Sequence, residues 1–243
     1  MNTISFCTSV MNRLDSIKQT LPYNLDNIKF QDNSNIIIFD YGSSDGLSEY
    51  IKENYIKYID TGKLIFLQTE HKKEKYWHAH CKNVPHFHAT SDIVSCVDAD
   101  SYISGEYIRF IMKNIKPNTI IEGFSGYGMT GYITMFRDDF SSIGGYDEEY
   151  KEIYGSEDHD IIKRGKMKGM KVVSTPIYLL KTVIHDNTCR TKYTTNDSVA
   201  ESLKITRRVY NRGIVDNKIM VNTHGIHPEK IIKNFDGQLV VVA

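Results

Sequence analysis

The strongest constraint on how this chain folds is Ile93-Val94-Ser95-Cys96-Val97, a run of β-forming residues that stops on Asp98-Ala99-Asp100. A short apolar run without polar alternation reads as a strand buried on both faces, and such strands sit in the middle of parallel sheets. In open α/β sheets ligands collect beyond the carboxyl ends of the strands, so Asp98 and Asp100 are expected where a substrate sits. Two carboxylates one residue apart at a strand end can turn toward one hard cation, and Mg²⁺ or Mn²⁺ prefers such oxygen donors. The plainer reading is a strand that ends in a polar turn, because D-x-D is a short and common pattern.

The rest of the chain repeats the same alternation. Ile4 to Thr8, Ile36 to Phe39 and Leu64 to Leu67 are further short strands. Between them, Asn12 to Leu21, Leu47 to Tyr58 and Tyr76 to Thr90 carry apolar residues at helical spacing. Strands separated by helices predict a doubly wound, mostly parallel sheet with helices on both faces. Later elements are a helix over Tyr107 to Ile115, a glycine-rich stretch from Gly123 to Gly131, and a strand from Ile133 to Phe136. Pro22 is expected to follow the first helix, and Pro85 to kink or restart the third.

With 243 residues and 40% hydrophobic content, one α/β core with a C-terminal extension is the simplest division: a catalytic domain over 1–190 and a helical extension over 191–243. Thirty basic and thirty acidic residues cancel, which removes the global field that nucleic-acid binding would use. Cys7, Cys81, Cys96 and Cys189 lack metal-ligand spacing, and no window approaches the roughly 20 apolar residues of a spanning helix. The expectation is a soluble, cytoplasmic protein in a reducing compartment. Ser198 to Tyr210 reads as an amphipathic helix whose Lys204, Arg207 and Arg208 would suit peripheral contact with an anionic membrane or an acidic substrate; a solvated face is the simpler reading. Leu239 to Val242 reads as an edge strand or a contact surface, and an oligomer is compatible with the sequence.

Several residues could carry chemistry. Asp40 follows an apolar strand and precedes Tyr41-Gly-Ser-Ser, so it suits a carboxylate accepting from a ribose or a base N–H; an Asx-turn is its ordinary structural role. Thr8 ends the first strand and is a candidate nucleotide-sugar contact with Asn12 and Arg13, which follow it; the guanidinium could meet a nucleotide, or the pair could be a helix N-cap and a solvated arginine. Trp77 to His88 holds His78, His80, His86 and His88, yet i, i+2 pairs diverge around a helix, so the Lys82/Asn83 pair is the better candidate, the lysine neutralising diphosphate charge. Glu157 and Asp158 precede Ile161 and Ile162 and occupy a helix's first turn, where acids complement the dipole and a carboxylate can also act as a general base. His185 ends another apolar segment, where an imidazole could complete a cation site with Asp100 or be merely structural.

Taken together, Asp40-Tyr-Gly-Ser-Ser-Asp45, Lys82-Asn83, Asp98-Ala-Asp100, Gly144-Gly-Tyr-Asp147-Glu148, Tyr154-Gly-Ser-Glu157-Asp158 and His185 resemble, in order, the motifs of GT-A fold glycosyltransferases of family 2. The later half is similar to the C-terminal module of β-1,4-galactosyltransferases and to chondroitin-polymerase-type enzymes. The resemblance covers residues 3 to 190 and implies an inverting, metal-dependent hexosyltransferase. It would use a nucleotide-sugar donor, a UDP-sugar above all, and the hydroxyl of a glycan or other acceptor. It also implies residue roles: Asp100 and His185 on Mn²⁺ or Mg²⁺, Asp98 near ribose and metal with Ala99 between, Asp158 as the base, Glu157 binding a sugar, and Asp40 and Arg13 on the nucleotide. Tyr154-Gly-Ser stands where that group has Trp-Gly-Gly, which leaves both sugars open. A sugar nucleotidyltransferase would need a glycine-rich phosphate loop that Thr8-Ser-Val-Met-Asn-Arg13 lacks. A metal-dependent phosphohydrolase would hold a nucleophile or a metal-bound water at the same acids and release phosphate. A non-catalytic nucleotide-sugar-binding module would keep Asp40 and Asp98 but could dispense with Asp158 and His185.

Overall fold

The computed structural model of the chain describes residues 2–29, 33–124, 129–184, 192–195, 199–237 and 239–242. Four strands, Ile4–Val10 (β1), Ser34–Asp40 (β2), Leu64–Thr69 (β3) and Ile93–Cys96 (β4), pair in parallel in the order β3-β2-β1-β4. Helices α1 (Leu14–Ile28), α2 (Leu47–Asp60) and α3 (His78–His88) make the crossovers between them. The strand read from Ile93 thus lies inside the sheet, with β1 as its parallel neighbour.

Both sheet faces are covered because each strand alternates its side chains between two apolar layers. Ile4, Phe6, Ile36 and Ile38 join Leu21, Ile51, Tyr107 and Ile111 on one face; Cys7, Ile37, Phe39 and Val94 join Val84, Phe140 and Ile161 on the other. Cys7, Cys81 and Cys96 are buried free thiols.

Beyond β4 the chain makes a short strand, Ser101–Tyr102 (β5), then α4 (Gly105–Asn114), β6 (Thr119–Phe124), β7 (Met129–Phe136), α5 (Arg137–Ser142), α6 (Glu157–Met167) and β8 (Lys171–Ser174). β7 adds antiparallel to β4, β6 antiparallel to β7, and β8 parallel to β6. Lys181–Thr182 (β9) pairs with β5 in a separate small sheet. After α7 (Val199–Val215), Glu229–Lys233 (β10) and Leu239–Val242 (β11) extend the opposite edge of the main sheet, β10 running antiparallel to β3. The C-terminal segment is therefore not simply helical. Its apolar residues complete the sheet, Ile231 and Val242 packing into the core.

Two prolines behave differently from the sequence expectation. α1 runs through Pro22 to Ile28, and α3 runs through Pro85. A proline inside a helix removes one backbone bond, but Leu21, Leu25 and Ile28 of α1 are each buried, and so are Val84 and His86 beside Pro85. Their burial outweighs the missing bond.

The turn before α6 is held by a buried arginine. Arg164 is fully buried; its Nε bonds Asp160 Oδ2 at 2.6 Å, and its guanidinium donates to Ile143 O at 2.7 Å and Gly145 O at 2.6 Å. Gly144 and Gly145 sit at positive φ, where a Cβ would strike Val221 O and Asn83 Oδ1, so glycine is required at both. Arg164→Leu leaves Asp160 Oδ2 and two carbonyls without their donor, Lys163 staying on Oδ1, and is expected to lower unfolding stability by about 3–5 kcal/mol in chemical denaturation; a loss below about 1 kcal/mol would show that the pair is dispensable.

Candidate active site

A cavity of about 500 Å³ opens beyond the carboxyl ends of β1 and β4. Seven of the residues singled out in the sequence line it: Arg13, Lys82, Asp98, Ala99, Asp100, Glu157 and Asp158. Three elements bring them there. The β4 strand ends into Asp98, α3 carries Lys82 from the face of the sheet, and α6 begins at Glu157.

Lys82 is the centre of the arrangement. Its Nζ lies 2.6 Å from Asp158 Oδ1, 3.0 Å from Glu157 Oε1 and 4.0 Å from Asp98 Oδ1. The lysine and both E-D acids are buried. Burial works against the Lys82 charge, but Asp158, Glu157 and Asp98 outweigh it and hold the amine well above its usual pKa. Burial also raises Asp158, with Lys82 opposing and Glu157 adding. Asp98 is pushed up to about 6 by its withdrawal from water, with Lys82 opposing and Asp158, Asp100 and Glu157 adding. Asp98 and Asp158 shift upward first because burial disfavours their charge, whereas Lys82 shifts upward because the carboxylates around it outweigh its burial.

The acids are packed as closely as the backbone permits. A Cβ on Gly131 would meet Asp98 Oδ2 at 2.0 Å, so that glycine makes the room Asp98 occupies. Gly123, where a Cβ would meet Met129 O at 2.0 Å, is close-packed in the same sense. Asp100 receives a 3.4 Å bond from Ser101 Oγ, and its carbonyl accepts from Val183 N at 2.7 Å, which ties β9 to the D-x-D turn two residues before His185. His185 itself lies outside the described residues. An excess of hard oxygen donors over cations is the chemistry that Mg²⁺ or Mn²⁺ takes, and Asp98 with Asp100 fits it. Among the described residues no group of three or more His, Cys, Asp or Glu is placed to hold a metal.

Four of the expected nucleotide-facing residues lie elsewhere. Thr8 is a buried strand residue, and the cavity is lined instead by Ser9, Val10 and Met11, because β1 runs two residues further than expected. Asn12, at positive φ, uses Oδ1 to accept from Ser44 N at 2.7 Å and so laces the β1 and β2 turns together. Asp40 accepts from Ser43 N at 2.8 Å, as an Asx-turn does, and opens on a neighbouring hollow of about 430 Å³ lined by Gly42, Gln68 and Thr69. Its burial, with Asp45 and Glu49 adding and the Ser43 bonds opposing, raises its carboxyl to about 6. Asn83 is fully buried and clamps the segment before α6, bonding Tyr146 N at 2.8 Å and Tyr146 O at 2.9 Å.

An aromatic wall is invisible to sequence reasoning. Tyr76, His78, Tyr154 and Tyr193 line the cavity, Tyr76 donating to Ser9 Oγ at 2.7 Å. They come from three separate segments, so no spacing in the sequence joins them.

Residues 5–133, more than half of the chain, match the family model described as glycosyltransferase like family 2. The chain belongs to that family. Residues 112–186 match a second model, described as the N-terminal domain of galactosyltransferase. No curated protein sequence matches the chain. Among solved structures, the mannosyltransferase PcManGT from Pyrobaculum calidifontis, in complex with GDP-Man and Mn²⁺, superposes with a TM-score of 0.57 at 17% identity, over 72% of this chain and 55% of that one. S. aureus TarS 1-349 in complex with UDP-GlcNAc gives 0.57 at 14% identity, over 88% and 73%. At these identities the likeness is one of fold, and the fold is GT-A. The chain spans about half the length of PcManGT.

Removing the Lys82 charge should expose how far the family 2 chain depends on it. Lys82→Met leaves Glu157 and Asp158 buried without their cation, at an expected cost of about 3–5 kcal/mol at pH 8. Asp158, already raised by burial, can then recover by taking up a proton. A carboxyl with a higher pKa in the fold than in the unfolded chain binds protons on folding, so the deficit should shrink as pH falls toward 5. Denaturation midpoints of both proteins at pH 8 and pH 5 check this; a deficit that grows in acid would contradict it.

Proposed function

We propose that this chain is an inverting, metal-dependent glycosyltransferase that moves a hexose from a nucleotide sugar, a UDP-sugar above all, to a hydroxyl of a glycan or other acceptor. The observation that carries the reading is the meeting of two acid pairs from distant parts of the sequence, Asp98/Asp100 and Glu157/Asp158, in one cavity with Lys82 between them. PcManGT binds GDP-Man with Mn²⁺, and TarS binds UDP-GlcNAc. These relatives of fold support a nucleotide sugar as the ligand of that cavity.

In this reading Asp158 is the general base. Lys82 fixes Oδ1 at 2.6 Å and favours the ionised form, while Oδ2, 3.4 Å from the Thr130 hydroxyl, takes the proton of the acceptor oxygen. Burial raises the carboxyl above its ordinary pKa and so makes the carboxylate a stronger base, which suits proton transfer. The acceptor attacks the face opposite the departing diphosphate, which inverts the anomeric carbon. A bound Mn²⁺ or Mg²⁺, held by Asp100 with Asp98 beside it and His185 as a further donor, would offset the negative charge on the leaving diphosphate as a Lewis acid. Glu157 orients a sugar hydroxyl, Arg13 meets the nucleotide, and Asp40 reads its base or ribose from the adjoining hollow. Holding both substrates in line contributes on the order of 7–11 kcal/mol at its upper limit.

No helix among the described residues is long and apolar enough to cross a membrane. A cytoplasmic location belongs to the same reading, as does the exposed Lys204, Arg207 and Arg208 face of α7 as a surface for an anionic membrane or acidic substrate.

The deciding experiment is nucleotide release from a panel of UDP- and GDP-sugars with Mn²⁺, with and without EDTA. One sugar should release its nucleotide slowly, EDTA should stop this, and Asp100→Ala should abolish it. Asp158→Asn should bind the donor normally and lose transfer by about 10²–10⁴-fold. Full transfer by Asp158→Asn would remove the base. Release of inorganic phosphate instead would favour the phosphohydrolase, and binding without turnover the binding module.

A further inference from the structure

His78, the first residue of α3, lines the cavity and takes no part in the chemistry above. Its Nδ1 is sealed from solvent without a hydrogen-bond partner, and among the described residues neither ring nitrogen has one. Nδ1 is out of reach of any ligand, so Nε2, which is not sealed, is the ring atom that an occupant of the cavity can meet. A proton on Nδ1 would be buried without an acceptor; a proton on Nε2 lies at the open edge of the ring. We therefore assign the Nε2–H tautomer.

The ring is also held in place. Tyr76 packs edge-on against it at 4.7 Å and Tyr154 at 5.5 Å. Tyr76 is itself pinned, its hydroxyl donating to Ser9 and its N–H to Tyr193 O at 2.6 Å. A donor whose direction is fixed before the ligand arrives binds at low entropic cost.

The surroundings indicate which atom it meets. Burial, then the charges of Lys82 and Arg13, lower the imidazole to about 3, so it is neutral at working pH and offers one N–H. Lys82 is committed to Glu157 and Asp158, and Arg13 shares the cavity. The positive charges of Lys82 and Arg13 that act at the ring favour an anionic oxygen as the acceptor of its N–H. Of the parts of a nucleotide sugar, the diphosphate supplies it.

We infer that His78 is a diphosphate-binding residue, its Nε2–H donating to a phosphate oxygen of the nucleoside diphosphate. This rests on the glycosyltransferase reading and adds a donor that the D-x-D and E-D motifs do not include.

The test is calorimetric binding of UDP and GDP, in the presence of Mn²⁺, to the full chain and to His78→Phe and His78→Gln. Phenylalanine keeps the packing against Tyr76 and Tyr154 and removes the N–H; glutamine returns a donor at the reach of Nε2. His78→Phe should weaken the bound diphosphate roughly ten- to a hundredfold, the range of a hydrogen bond to a charged group, and His78→Gln should recover most of it. Equal affinity of His78→Phe and wild type overturns the inference and leaves the glycosyltransferase reading standing. Weakening in both variants alike assigns the ring a packing role, and also overturns it. Failure of the wild type to bind either diphosphate takes down both readings.

Discussion

The cavity depends on one buried ammonium group. Lys82 enters from α3 and reaches Asp158, Glu157 and Asp98, so a single charge joins the helix crossing onto the sheet, the first turn of α6 and the end of β4. Removing two carboxylates from water is costly, and the attraction of a close cation repays it only when the geometry is good. At 2.6 and 3.0 Å it is good for Asp158 and Glu157, while the 4.0 Å contact with Asp98 leaves that acid under-neutralised. The incomplete neutralisation of Asp98, with the carboxylate of Asp100 two residues on, is what suits this wall to a divalent cation.

Around that centre, polar groups of the fold serve as clamps. Asn83, next to Lys82 in sequence, turns the other way and fixes the backbone of Tyr146, while Arg164 fixes Ile143 and Gly145. The Gly144-Gly145 turn is therefore held from α3 and from α6 at once, and α6 can only start where it does. Asp158 itself is oriented by Lys82 on Oδ1 and the Thr130 hydroxyl on Oδ2. Function and stability are coupled here: two of the acids proposed for chemistry, Glu157 and Asp158, are buried against a buried lysine.

The acid pairs singled out by the resemblance to GT-A enzymes both line the cavity; they are legible because each lies at the end of a regular element, and strand ends and helix starts are marked by abrupt changes of polarity. It does not separate neighbours. Lys82 and Asn83 look alike as polar residues of one helix, yet adjacent helical positions point about 100° apart, and the packing of α3 on the sheet decides which meets the cavity. Asp40 reads in the sequence as a nucleotide contact; its carboxylate caps a turn, and it opens on the adjoining hollow, not on the cavity of Asp98.

The sequence by itself determined the alternation of strands and helices, the parallel centre of the sheet and the chain positions of the four acids, because hydrophobic periodicity and strand termination are local properties. Only the tertiary structure decided that β10 and β11 complete the sheet and that His78, Tyr76, Tyr154 and Tyr193 share a wall. It also decided that Lys82 bonds acids 75 and 76 residues away. Those outcomes depend on which buried faces meet, and charge pairing across such distances leaves no spacing in the chain to read.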